Sequence, residues 1–89
     1  MKNWIQVRNE LNITSEEELV IKFEKELLMM LMQIRQEQNL SQSELAKLSG
    51  LQQPAIARIE KGGHSPQIDS VLKLLIPMGY TLNIVPINK

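Results

Sequence analysis

The sequence contains no cysteine, one histidine and three aromatic residues in 89. Without cysteine there is no disulfide framework and no thiolate metal site, and a reducing cytoplasmic setting fits. With only His64, no histidine cluster can hold a metal, and that one residue, in a Gly-Gly-His-Ser loop, has no evident orienting acid for a Ser-His-acid relay. Trp4, Phe23 and Tyr80 are too few to fill a core, so Leu, Ile and Met must do it. Phosphate-cradling glycine motifs are missing. The most apolar stretch, Leu27 to Ile34, is interrupted by Gln33 and is too short to span a bilayer. The first ten residues carry Lys2, Arg8 and Glu10 and do not read as a signal peptide. These absences argue against an enzyme, a metalloprotein and a membrane protein, and no cofactor is expected.

What is present is a chain of one-domain length, 43% hydrophobic, with zero net charge. The charge is unevenly spread. Residues 1–40 carry net −2 and residues 41–89 net +2, so the second half is better suited to phosphate.

Helix punctuation is frequent. Trp4, Val7 and Leu11 share one face of a short N-terminal helix. Thr14 or Ser15, each with a glutamate three residues on, opens a long helix over 15–38. Its stripe reads Leu19, Phe23, Leu27, Met30, Ile34, and between Leu27 and Ile34 the apolar residues nearly encircle it. Such a helix needs cover on several sides. Ser41 and Glu44 form another capping box, for a helix closed by Gly50. A further helix runs from about Gln53 to Lys61, with Pro54 in its first turn and Gly62-Gly63 after it. A last helix covers about 67–76, with Ile68, Val71, Leu72 and Leu75 inward, and ends at Pro77 and Gly79. The alternation from Tyr80 onward predicts a strand over 80–86. The expected fold is therefore mainly α: five helices and a C-terminal, dimer-forming β-strand. It is read as one domain, 1–89, with an extension (1–30), a helix-turn-helix core (31–79) and the strand (80–89).

The core carries the functional signal. Two short helices meet at Ser49-Gly-Leu51, with the second running 53–61. Leu45, Leu51, Ile56 and Ile59 suit the inside, which leaves Gln52, Gln53, Ala55 and Arg58 outward. Gln presents a donor and an acceptor to adenine, Arg pairs with guanine, and Ala55 suits a thymine methyl. Gln42 and Ser43, at the start of the first short helix, suit a phosphate, as do Lys61 and His64. Each of these positions alone is equally well a solvated polar residue. The pattern as a whole points to double-stranded DNA.

That pattern resembles the Cro-type (XRE) helix-turn-helix over residues 31–79. The segments are Ile34-Arg35, Leu40-Ser-Gln42, Glu44-Leu-Ala46, Ser49-Gly-Leu51 and Ile56-Ala-Arg-Ile-Glu-Lys-Gly62. The resemblance implies a buried Arg35–Glu60 ion pair, a phosphate contact at Gln42, and base reading at Gln53, Ala55 and Arg58. Pro54 departs from the pattern, which often has a hydroxyl there. Nearly the whole chain is similar to HigA-type antitoxins, on Asn3-Trp4, Val7-Arg8, Glu10-Leu11, Gln53-Pro-Ala-Ile-Ala-Arg58, Ser65-Pro-Gln-Ile-Asp69 and Gly79 to Pro86. That likeness implies a HigB/RelE-like mRNA endonuclease as partner and repression of the pair's own operon.

A lone strand cannot satisfy its backbone, so a symmetry mate or another protein's sheet is expected to pair with it; the alternative is an extended, disordered tail. The expectations are a homodimer through Tyr80, Leu82, Ile84 and Val85 on a palindromic operator, and toxin contact through Trp4, Val7, Arg8, Leu11 and Phe23. Trp4, Val7 and Leu11 fit packing on the long helix equally well. The alternative is a stand-alone XRE-type repressor without a toxin.

Overall fold

A computed structural model of the protein describes residues 16–87. Among these are four α-helices: α1 (Glu16–Glu37), α2 (Gln42–Ser49), α3 (Gln53–Lys61) and α4 (Ile68–Leu75). A 3-10 turn over Ile76–Met78 follows α4. The expected N-terminal helix lies outside the described residues.

α1 spans about 33 Å. Glu16, Glu17 and Glu18 occupy its first turn and Arg35 its last, both favourable to the helix dipole. It stops at Asn39, which takes a left-handed φ of 59°. The Leu40 N–H then reaches back to the Arg35 carbonyl, and the Asn39 N–H to that of Gln36. This is a Schellman end, one of the few places where asparagine replaces glycine.

Two residues later Ser41 caps α2. The Glu44 N–H donates to Ser41 Oγ at 3.0 Å, and the Ser41 N–H donates to Glu44 Oε1 at 2.8 Å. The backbone N–H of Ser41, helped by the Ser41 side chain, holds the Glu44 carboxyl below the usual carboxylate range. Gly50, at φ 81°, closes α2. α3 begins without a side-chain cap, with Pro54 in its first turn.

The core is aliphatic. Leu31, Leu45, Ile56 and Leu74 are fully buried, joined by Leu28, Ile59, Val71, Leu75 and Met78. α1 packs on α3, and α2 on both α3 and α4.

Three expectations need correction. On α1, Leu19 is buried as the stripe requires and Leu27 and Ile34 are half-buried, but the other buried residues are Leu28, Leu31 and Arg35, whereas Phe23 and Met30 are exposed. With apolar side chains nearly all round, spacing alone cannot choose a face; α3 chooses it. On α4, Leu74 is buried and Ile68 is 70% exposed, because the helix starts at Ile68, on the solvent side of its first turn.

The third correction concerns the tail. No strand is present among the described residues, so neither the fifth helix nor the strand over 80–86 belongs to the described fold. Alternation supplies only a local preference for extended chain, while a strand also needs a neighbour's backbone. Tyr80 to Ile87 instead run as exposed irregular chain, with Ile84 97% exposed. Its start is fixed: Gly79 is left-handed, and the Tyr80 N–H donates to the Leu75 carbonyl.

Candidate nucleic-acid interface

α3 turns two different faces outward and inward. Ile56 and Ile59 are buried, while Gln53, Pro54, Arg58 and Lys61 are exposed and Ala55 is half-buried. Gln52 is exposed at the N-cap, and Ser43 on α2 is exposed nearby in sequence. The expected outward set therefore lies on the solvent side of this helix.

A polar clamp sets the orientation of α3. Arg35 Nε donates to Glu60 Oε2 at 2.7 Å, and Nη2 donates to Glu60 Oε1 at 2.9 Å. The third arm, Nη1, donates to the Leu40 carbonyl at 2.7 Å. The two side chains are 11% and 5% exposed. The fork geometry is one that lysine cannot reproduce. The pair implied by the resemblance is thus present, and it joins the end of α1, the α1–α2 turn and α3.

The clamp has a fourth member that sequence reasoning assigned elsewhere. Gln42 Nε2 donates to Glu60 Oε1 at 2.9 Å. One amide hydrogen of Gln42 is therefore committed to the carboxylate. Nothing in the local sequence signals this, because the two residues lie eighteen apart. A second unforeseen bond runs from Gln38 Nε2 to the Met78 carbonyl at 2.8 Å, tying the end of α1 to the 3-10 turn.

Beyond α3 the chain passes through Gly62 and Gly63, with φ of 80° and 91°. This double left-handed step returns exposed His64 to the side of α3. A shallow hollow of about 300 Å³ forms there, lined by Ala55 and Arg58 of α3, His64 and Ser65 of the loop, and Gln67 and Ser70. No carboxylate lines it. Among the described residues no cluster of His, Cys, Asp and Glu is suited to a metal, and no helix is long and apolar enough to cross a membrane.

A separate apolar groove of about 390 Å³ lies between α1 and the tail. Phe23, Leu27, Met30 and Ile34 form one wall, and Tyr80, Leu82 and Val85 the other. Trp4, Val7, Arg8 and Leu11 lie outside the described residues.

Two helices joined at Gly50, one with its polar face exposed, define the protein class, and comparison with known proteins agrees. The Helix-turn-helix family model matches residues 31–85. The chain belongs to the Helix-turn-helix family. It is similar to an uncharacterised HTH-type transcriptional regulator of Haemophilus influenzae, 56% identical over 54 residues, covering 61% of this chain and 55% of that protein. It is also similar to the HTH-type transcriptional regulator PuuR of Escherichia coli, 47% identical over 53 residues, covering 60% of this chain and 29% of PuuR. The chain thus spans about half of the first relative and under a third of the second. Among solved structures, it resembles a chain of a toxin-antitoxin module from Streptococcus pneumoniae. That likeness has a TM-score of 0.68 and 41% identity, and covers 98% of this chain and 96% of the other.

Proposed function

We propose that this protein is the antitoxin of a type II toxin–antitoxin pair of HigA type. It binds a palindromic operator as a homodimer, represses its own operon, and neutralises a HigB/RelE-like mRNA endonuclease. The observation that carries this reading is the likeness to the toxin-antitoxin module chain over nearly the full length of both. The regulator relatives match only about 60% of the chain.

In this reading α3 enters the major groove. Gln53, Ala55 and Arg58 read base edges, assisted by Gln52. Ser43, Lys61 and His64 contact the backbone, and Gln42 uses its remaining amide hydrogen for a phosphate. The exposed tail residues Tyr80, Leu82, Ile84 and Val85 supply the dimer contact. Trp4, Val7, Arg8, Leu11 and exposed Phe23 supply the toxin contact. The cell compartment is the cytoplasm, where DNA and mRNA are both at hand.

The test has two arms. The tagged full chain is used to select duplexes from a random pool, and to capture partners from the cells that encode it. A palindromic consensus, together with a small basic protein whose mRNA cleavage stops when the chain is added, supports the proposal. A consensus with no ribonuclease partner favours the second reading, a stand-alone regulator, which rests on the Haemophilus and Escherichia relatives. Failure to select any duplex refutes both.

A further inference from the structure

His64 is the single imidazole of the chain, and the fold places it beside the helix that carries the proposed base-reading residues. Histidine is the side chain whose ordinary titration falls between pH 5 and 8. The charged groups that share its surroundings come from two elements. α3 presents Arg58 in the hollow described above. On its other side His64 lines a second hollow, to which α1 contributes Glu24 and Lys25. α4 contributes Ser70, which is uncharged. The side toward Arg58 therefore holds a cation and no carboxylate.

We propose that His64 couples DNA affinity to pH by taking up a proton as the duplex docks. The inference rests on the reading of α3 as the DNA-binding helix. The physical reason is linkage. A duplex seated on α3 brings backbone phosphate to the edge of the Arg58–His64 hollow. A phosphate beside an imidazole favours the charged form, whereas Glu24, Lys25 and Arg58 act on it with and without DNA. Bound protein then holds more proton at His64 than free protein, so acidification tightens binding. The effect belongs to the complex, because His64 is exposed in the free protein and open to an incoming phosphate.

The effect read is severalfold tighter binding at the lower pH. Each protonated His64 that meets a phosphate also releases a counterion, steepening the salt dependence by about 0.9 in log–log slope.

The experiment titrates the full-length protein against its selected duplex by fluorescence anisotropy. It is run at several salt concentrations near pH 5.5 and near pH 8, with circular dichroism confirming the fold at both. Wild type is expected to bind severalfold more tightly, with a steeper salt slope, at the lower pH. His64→Gln is expected to show neither change. His64→Lys is expected to keep the steep slope and tight binding at both. A His64→Gln variant with the wild-type pH profile overturns the proposal, and so does a wild type that binds equally at the two pH values. A wild type that binds no duplex at any pH or salt refutes the α3 reading itself, and the coupling falls with it.

Discussion

Replacing Glu60 with alanine removes a carboxylate that accepts three hydrogen bonds, two from Arg35 and one from Gln42. The partner guanidinium is 11% exposed, so water cannot take over most of what is lost. Arg35 keeps its bond to the Leu40 carbonyl, but Nε and Nη2 are left buried and unpaired, as is one Gln42 donor. Breaking one partner of a buried pair costs about 3–5 kcal/mol. A domain this small has about 5–10 kcal/mol in total. At about 1 kcal/mol per molar, the urea midpoint should fall by about 3 M or more, leaving a marginally folded protein. The double replacement Arg35→Met with Glu60→Leu removes both charges. It should recover most of the loss, because the desolvation cost of both ions goes with them. Urea unfolding followed by circular dichroism measures both variants. A loss below about 1 kcal/mol for Glu60→Ala would place the pair among exposed ion pairs and refute the reasoning.

Arg58→Ala should weaken operator binding by about 1–3 kcal/mol and relax preference at one base pair per half-site, read by anisotropy on single-base variants; unchanged preference removes Arg58 from the base-reading set. Ile84→Asp with Val85→Asp should leave the melting temperature in place, since both side chains are exposed, while converting the proposed homodimer to monomer in sedimentation; a dimer that survives the change places the interface elsewhere. Ser41→Ala should cost about 1 kcal/mol through loss of the α2 cap. The Glu44 carboxyl is held low in the folded state, so its contribution is present above the ordinary carboxylate range and is lost as pH falls through the folded value. Thermal melts of wild type should therefore lose that contribution on acidification, and melts of Ser41→Ala should lose less.

The four described helices were readable because their ends are written locally. Ser41 with Glu44, Gly50, Gly62 and Gly79 mark boundaries within a residue or two of those observed. The ion pair was readable only by resemblance, since no local rule joins residues twenty-five apart. What escaped was whatever depends on another element. α1 has apolar residues at nearly every angle, so packing against α3 decided that Leu28 and Leu31 go in and Met30 stays out. The bond from Gln42 to Glu60, at 2.9 Å, joins residues eighteen apart, which no local pattern relates. The tail alternates as a strand does, yet strand formation depends on a neighbour that these residues do not supply.

Hydrogen bonds are directional where apolar contacts are not, and this difference bears on how α3 presents its outer face. Arg58 and Glu60 are two positions apart on α3, about 200° around the helix axis. The clamp at Glu60 resists rolling of α3 about that axis, so the angle at which its far side is offered does not depend on which side chains stand there. The outward residues are in that sense interchangeable type set in a fixed frame. If α3 reads DNA as proposed, substitutions at Gln52, Gln53, Ala55 and Arg58 should redirect the protein to a new duplex sequence while Arg35, Gln42 and Glu60 preserve the orientation of α3.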